Sequence, residues 1–149
     1  QHDRMGVEVW LSQMGSALNL HKTISNWSAE DRADAARAIG VFKNLRHYLI
    51  KDFWSLFPPA EDRESWDGWQ FHDPDTGTGV LFFFKRRDCE ENERTVELRW
   101  PEDIAGLTFG TVLGEATIEP EGGRSLTVNM ESKAALVRYD RARGPAHNQ

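Results

Sequence analysis

The stretch Val80-Leu81-Phe82-Phe83-Phe84 constrains the fold of this chain more than any other. Five consecutive apolar residues, opened by Gly79 and closed by Lys85-Arg86, have the length of a strand. A strand without alternation carries apolar side chains on both faces, so both faces must be covered. The residues just before it supply a neighbour. In Trp66-Asp67-Gly68-Trp69-Gln70-Phe71, Trp69 and Phe71 alternate with Gln70, and Asp73-Pro74-Asp75-Thr76-Gly77 between the two runs is turn chemistry. Residues 66–86 therefore read as the first hairpin of a β region.

Alternation continues downstream. Val96, Leu98 and Trp100 alternate with Thr95, Glu97 and Arg99. Leu107, Phe109, Thr111 and Leu113 follow, then Ala116 with Ile118, then Leu126, Val128 and Met130, and finally Ala135, Val137 and Tyr139. Turn residues separate these runs at 88–92, at Gly114 and at Glu121-Gly122-Gly123. The spacing predicts a mainly β fold, an antiparallel β-sandwich of seven or eight strands, preceded by an N-terminal helical segment (α+β overall).

The helical segment has its own signature. Ser28 stands before Ala29-Glu30-Asp31, a Ser-x-x-Asp capping pattern with acids in the first turn. Ala35, Ile39, Phe42, Leu45 and Leu49 form one apolar stripe over residues 29–50, and Arg46, His47 and Lys51 suit the negative end of a helix. Gly40 weakens this helix by about 1 kcal/mol relative to Ala. Further upstream, Val7, Val9 and Leu11 alternate while Trp10, Met14 and Leu18 recur at helical spacing. The reading there is a short strand or extended entry followed by a helical turn. Pro58-Pro59 halts regular structure before a charged loop at 60–64. The expected division is a helical segment at 1–51, a β-sandwich at 52–140 and a frayed polar tail at 141–149.

Composition narrows the function classes. The 149 residues include 18 Lys and Arg against 24 Asp and Glu, a net charge of -6, which argues against nucleic acid or an anionic membrane as partner. No apolar run reaches the ~18 residues of a membrane span. The 39% hydrophobic and 28% charged content is that of a globular chain. Cys89 is the single cysteine, so no internal disulfide is expected. The first residue is Gln1 rather than Met, and the sequence is expected to be processed, partial or trimmed.

Motifs for chemistry are few. His2, His21, His47, His72 and His147 are scattered without metal-ligand spacing. Residues 73–78 resemble a calcium loop, but Gly77 falls at the fifth position and Phe84 stands where a bidentate Glu is required. Gly77-x-Gly79 opens into a strand, not a helix, so it makes no phosphate cradle. No Gly-x-Ser-x-Gly elbow occurs, and Cys89 in its acidic turn reads as a bystander. The carboxylates Glu61, Asp62 and Glu64, Glu90 with Glu91, and Glu102 with Asp103 all sit in hydrophilic loops, where a solvated face is the default. No metal or cofactor is expected. Six Trp and eight Phe are a rich supply of rings. Trp54, Trp66, Trp69 and Trp100 lie in or beside the β region, and exposed indoles stack on sugar rings. Core packing is the default for Trp69 and Trp100. Trp66, beside a charged loop, and Trp69 are the candidates for carbohydrate contact.

The order of these segments resembles the C-terminal end of α-galactosidase-type enzymes of glycoside hydrolase family 36. The residues that carry it are Leu45-Arg46-His47-Tyr48-Leu49-Ile50, Lys51-Asp52-Phe53-Trp54-Ser55-Leu56, Trp66-Asp67-Gly68-Trp69-Gln70-Phe71 and Gly79-Val80-Leu81-Phe82-Phe83-Phe84-Lys85-Arg86. In that family the last strand and helix of a (β/α)8 barrel lead into an antiparallel β-sandwich. A segment like Gly-Asp-Phe-Tyr follows, then Trp-x-x-Trp-Gln-Phe and Gly-x-x-x-x-Phe-x-Arg strands. The likeness spans roughly residues 4–114. It departs at Lys51, where Gly is usual, and at Trp54, where Tyr is usual.

The resemblance implies a non-catalytic region. The family's nucleophile and acid/base are aspartates on earlier barrel strands, and no position here matches either motif. Residues 1–51 would be the end of the barrel, with Trp10, Met14, Leu18 and Trp27 facing the barrel or a second copy of the chain. The implied partners are the catalytic barrel of the same parent protein or a homodimer mate, with oligosaccharide as a further contact. A stand-alone carbohydrate-binding module and a plain interaction domain are the alternatives.

Overall fold

The computed structural model describes residues 7–14, 27–58 and 64–142. Two helices precede the sheet: α1 (Val7–Met14) and α2 (Ala29–Leu45), the latter running into a 3-10 turn at Arg46–Ile50. Six strands follow: β1 (Asp52–Ser55), β2 (Trp66–Asp73), β3 (Thr78–Lys85), β4 (Glu93–Glu97), β5 (Leu107–Gly122) and β6 (Ser125–Arg141). The chain is mainly β, with one curled antiparallel sheet behind its helices.

α2 begins where its sequence says. Ser28 is in the extended region and its Oγ accepts from the Asp31 N–H at 3.1 Å, satisfying one of the free donors of the first turn. Ala35, Ala38 and Leu45 are buried, with Val41 and Phe42 half-buried beside them. α1 corrects the expected short strand or extended entry at residues 7–11. It is helical, because helical spacing places Trp10, Leu11 and Met14 together on the sheet, where they are 5%, 0% and 2% exposed.

All pairing is antiparallel, in the order β1-β2-β3-β6-β4, with β5 also on β6. β3 pairs with residues 134–139 of β6 and β4 with residues 125–129, so they share one edge of β6. β5 follows β6 from Leu107↔Arg141 to Gly122↔Ser125. Register shifts at Thr111/Leu113, Gly114/Ala116 and Pro120/Gly122 bend this long pair and help curl the sheet.

These shifts explain the strand number. Two runs broken at Gly114 in the sequence are one strand, since Gly114 adopts φ 78 at a bulge and the ladder continues past it. The runs at 126–130 and 135–139 are likewise one strand, β6. β1, absent from the sequence reading, is a strand of its own.

Each face of the sheet carries a core. On one, Phe71, Val80, Phe82, Ala134 and Leu136 pack under Trp10, Leu11, Met14, Ala35, Ala38, Leu45 and Tyr48 of the helical segment. On the other, Trp66, Leu81, Phe83, Val96, Leu98, Ile104, Val128, Ala135, Val137 and Tyr139 meet inside the curl. Val80 and Phe82 belong to the first and Leu81 and Phe83 to the second, so β3 is buried on both sides.

Candidate functional site

The register sets Asp52, His72, Gly79, Tyr139 and Phe109 in one row across β1, β2, β3, β6 and β5. The adjacent row on that face holds Trp54, Gln70, Leu81 and Val137. Gln70 and Tyr139 are fully buried and His72 is 5% exposed. This is where buried polar groups and an exposed indole come together.

Gln70 is held at both ends of its amide. Its Nε2 donates to Trp100 O at 2.7 Å and to Tyr139 Oη at 3.0 Å, while its Oε1 accepts from the Arg99 N–H at 2.9 Å. Tyr139 Oη also lies 2.6 Å from His72 Nδ1. Tyr139 Oη thus joins the Gln70 amide and the His72 imidazole in one buried hydrogen-bonded chain. The His72 ring is near-parallel to Trp100 (centroids 5.7 Å, 13°) and to Tyr139 (5.9 Å, 15°). Gly79 makes this possible. A Cβ there would collide with the Tyr139 phenol and with Phe71 O.

Electrostatics follow from the geometry. Burial pushes the His72 imidazolium below its ordinary value, opposed by Asp52 and Asp73 and aided by Arg141. Burial raises Tyr139 well above the usual phenol range despite the Gln70 bond. A neutral, inward-turned imidazole bonded to a phenol acts as a structural pin. At the margin the row reaches solvent. Trp54 is 47% exposed, and Arg99 places its guanidinium 5.2 Å from that ring and 5.9 Å from Trp100.

The residues singled out from the sequence fall elsewhere. Trp66 is 1% exposed, donates Nε1–H to Glu91 O at 3.0 Å and packs on Phe57 and Phe83, so no indole face is open to a sugar. Trp69 is half-buried against Phe82 (5.7 Å) and Phe84 (5.1 Å), on the opposite face of β2. An odd spacing along a strand separates the two rings. Trp10 and Met14, expected to face the barrel or a second copy, are turned into the chain's own first core. Trp27 packs partly buried against it, edge-on to Trp10 at 6.4 Å. Leu18 lies outside the described residues. Trp54 is the exposed indole that the sequence reading passed over. A strand at 52–55 would have revealed it by setting Asp52 and Trp54 on one face.

The acidic loops are partly drawn together. Glu64, Ser65, Asp88, Glu90, Glu91 and Arg94 line an open cleft of about 560 Å³, in which Arg94 pairs with Glu91. Asp103 accepts from the Ala105 N–H at 2.9 Å as a turn former, and Glu61 and Asp62 lie outside the described residues. In the turn before β3, Asp73 Oδ1 accepts from the Asp75 N–H and Asp73 O from the Gly77 N–H, at 2.9 and 2.8 Å. Both bonds are local turn chemistry. Among the described residues no three His, Cys, Asp or Glu converge as a metal-holding group, and no helix is long and apolar enough to cross a membrane. No protein-family model matches the chain, and no curated protein or solved structure matches it significantly.

Proposed function

We propose that this chain is the non-catalytic C-terminal region of an α-galactosidase-like glycoside hydrolase, in which a β-sandwich stabilises the catalytic barrel. One observation carries the reading. The residues that make up the family-like motifs are spent on holding the chain together. Gln70 ties β2 to Arg99 and Trp100, Gly79 admits Tyr139, and Trp66 anchors the segment at Glu91. The helical segment that resembles the end of a barrel shares its core with β2, β3 and β6 through Trp10, Leu11, Met14 and Leu45. Gripping a last helix in this way would tie a barrel to its neighbour. The curl around the second core supports a sandwich-like closure.

The test is an assay of the purified chain on a nitrophenyl α-galactoside. No turnover is expected, and turnover that survives repurification would sink the proposal. A second reading, a stand-alone carbohydrate-binding module, draws on the exposed Trp54 with Arg99 beside it. It requires saturable binding of a galactoside in calorimetry, abolished by Trp54→Ala.

A further inference from the structure

The free edges of the sheet differ in how they are guarded. β5 carries Glu115, Glu119, Pro120 and Glu121 together with its register shifts. β4 shows Glu93 and Glu97 to solvent. Charges, proline and bulges keep an edge from pairing with another chain. β1 exposes Asp52 and Ser55 but also large apolar groups: Ile50 just before it is 85% exposed, Phe53 51% and Trp54 47%. No other large apolar side chain among the described residues is so exposed.

The β1 backbone is open as well. The Leu56 N–H donates to Gly68 O at 2.9 Å, one step beyond the Ser55↔Trp69 pair. Alternation then turns the N–H and C=O of Trp54 and Asp52 toward β2, and those of Phe53 and Ser55 outward.

We propose that β1 pairs with β1 of a second copy of this chain, antiparallel about a two-fold axis at Phe53. In this register the two Phe53 residues exchange main-chain hydrogen bonds, and each Ser55 N–H reaches the other copy's Lys51 carbonyl. On one face the Phe53 rings meet, extending the Phe53–Phe71 contact of 5.2 Å. On the other, Asp52 stands opposite Trp54 of the second copy, the ring over which Arg99 lies at 5.2 Å. Asp52 and Arg99 therefore complement each other twice across the axis, as an isologous contact requires. Sliding the register by two residues sets Asp52 against Asp52 in one direction and Trp54 against Trp54 in the other. Only the Phe53-centred pairing matches the charges. A sugar on Trp54 would leave Ile50, Phe53 and the outward backbone groups uncovered.

Sedimentation equilibrium of the 149-residue chain tests this, with thermal melts confirming that each variant folds. A dimer is expected, and Phe53→Lys should be monomeric. Asp52→Arg and Arg99→Asp should each weaken the dimer by about tenfold or more, and the two together in one chain should restore it. If Phe53→Lys does not fold, the charge pair alone decides. A monomeric parent chain, a dimer indifferent to the single charge reversals, or a double variant no tighter than the singles overturns the proposal. None of these outcomes depends on whether the chain belongs to a glycoside hydrolase.

Discussion

Position 79 carries only a hydrogen, and that lets Tyr139 lie across β3 and reach His72. Gly79→Ala should cost about 2–3 kcal/mol, because its methyl would overpack against the buried Tyr139 phenol and against Phe71 O. Urea unfolding measures the loss, and a change below about 0.5 kcal/mol would contradict the packing described. His72 predicts a pH dependence. Its folded pKa lies below the ordinary 6.5, chiefly through burial, so the unfolded chain takes up the proton first as the solution becomes acid. The His72 contribution is fully present above 6.5 and is lost as pH falls toward the folded value. Asp73 is also held low, first by the Asp75 N–H, but its contribution persists above 3.8 and so does not confuse this window. Between about pH 7.5 and about pH 5.5 the urea midpoint should drop more in the parent than in His72→Phe, and parallel slopes would count against the assignment.

At the scale of elements, α2 shows how much a local pattern can specify. The Ser28 cap and the Ala35–Leu45 spacing need no partner to be recognised, since both follow from helix geometry. Gly40 lies exposed within α2, and an added Cβ meets nothing within 4 Å. Gly40→Ala should therefore stabilise the chain by about 1 kcal/mol, read as a higher urea midpoint at unchanged slope. The strands were only partly legible. β3 announces itself as apolar on both faces. Gly114 reads as a turn because glycine at positive φ serves turns and bulges alike. β1 is short, and residues 52–55 are all exposed, so no buried face marks it in the sequence. α1 lost its apparent alternation to the pull of the sheet on Trp10, Leu11 and Met14.

For the whole molecule, the first core joins the helical segment to the sheet, so both should unfold in one transition. Leu11→Ala, at a fully buried position, should cost about 2–5 kcal/mol and shift the far-ultraviolet and near-ultraviolet signals together. Separated transitions would mean that the segments before and after residue 51 fold independently. The candidate site was legible only as residue types. Gln70, His72 and Gly79 are visible in the sequence, but their common target, Tyr139, lies far along the chain and is brought in by β3–β6 pairing. The sequence by itself determined the α2 cap, the hairpin of β2 and β3 and the double burial of β3, because helix and strand periodicity are local. Only the tertiary structure decided that Trp66 is a buried anchor, that Trp10 and Met14 face inward, and that Trp54 remains in solvent. Exposure depends on which distant segment arrives to cover a side chain, and neither spacing nor composition records that arrival.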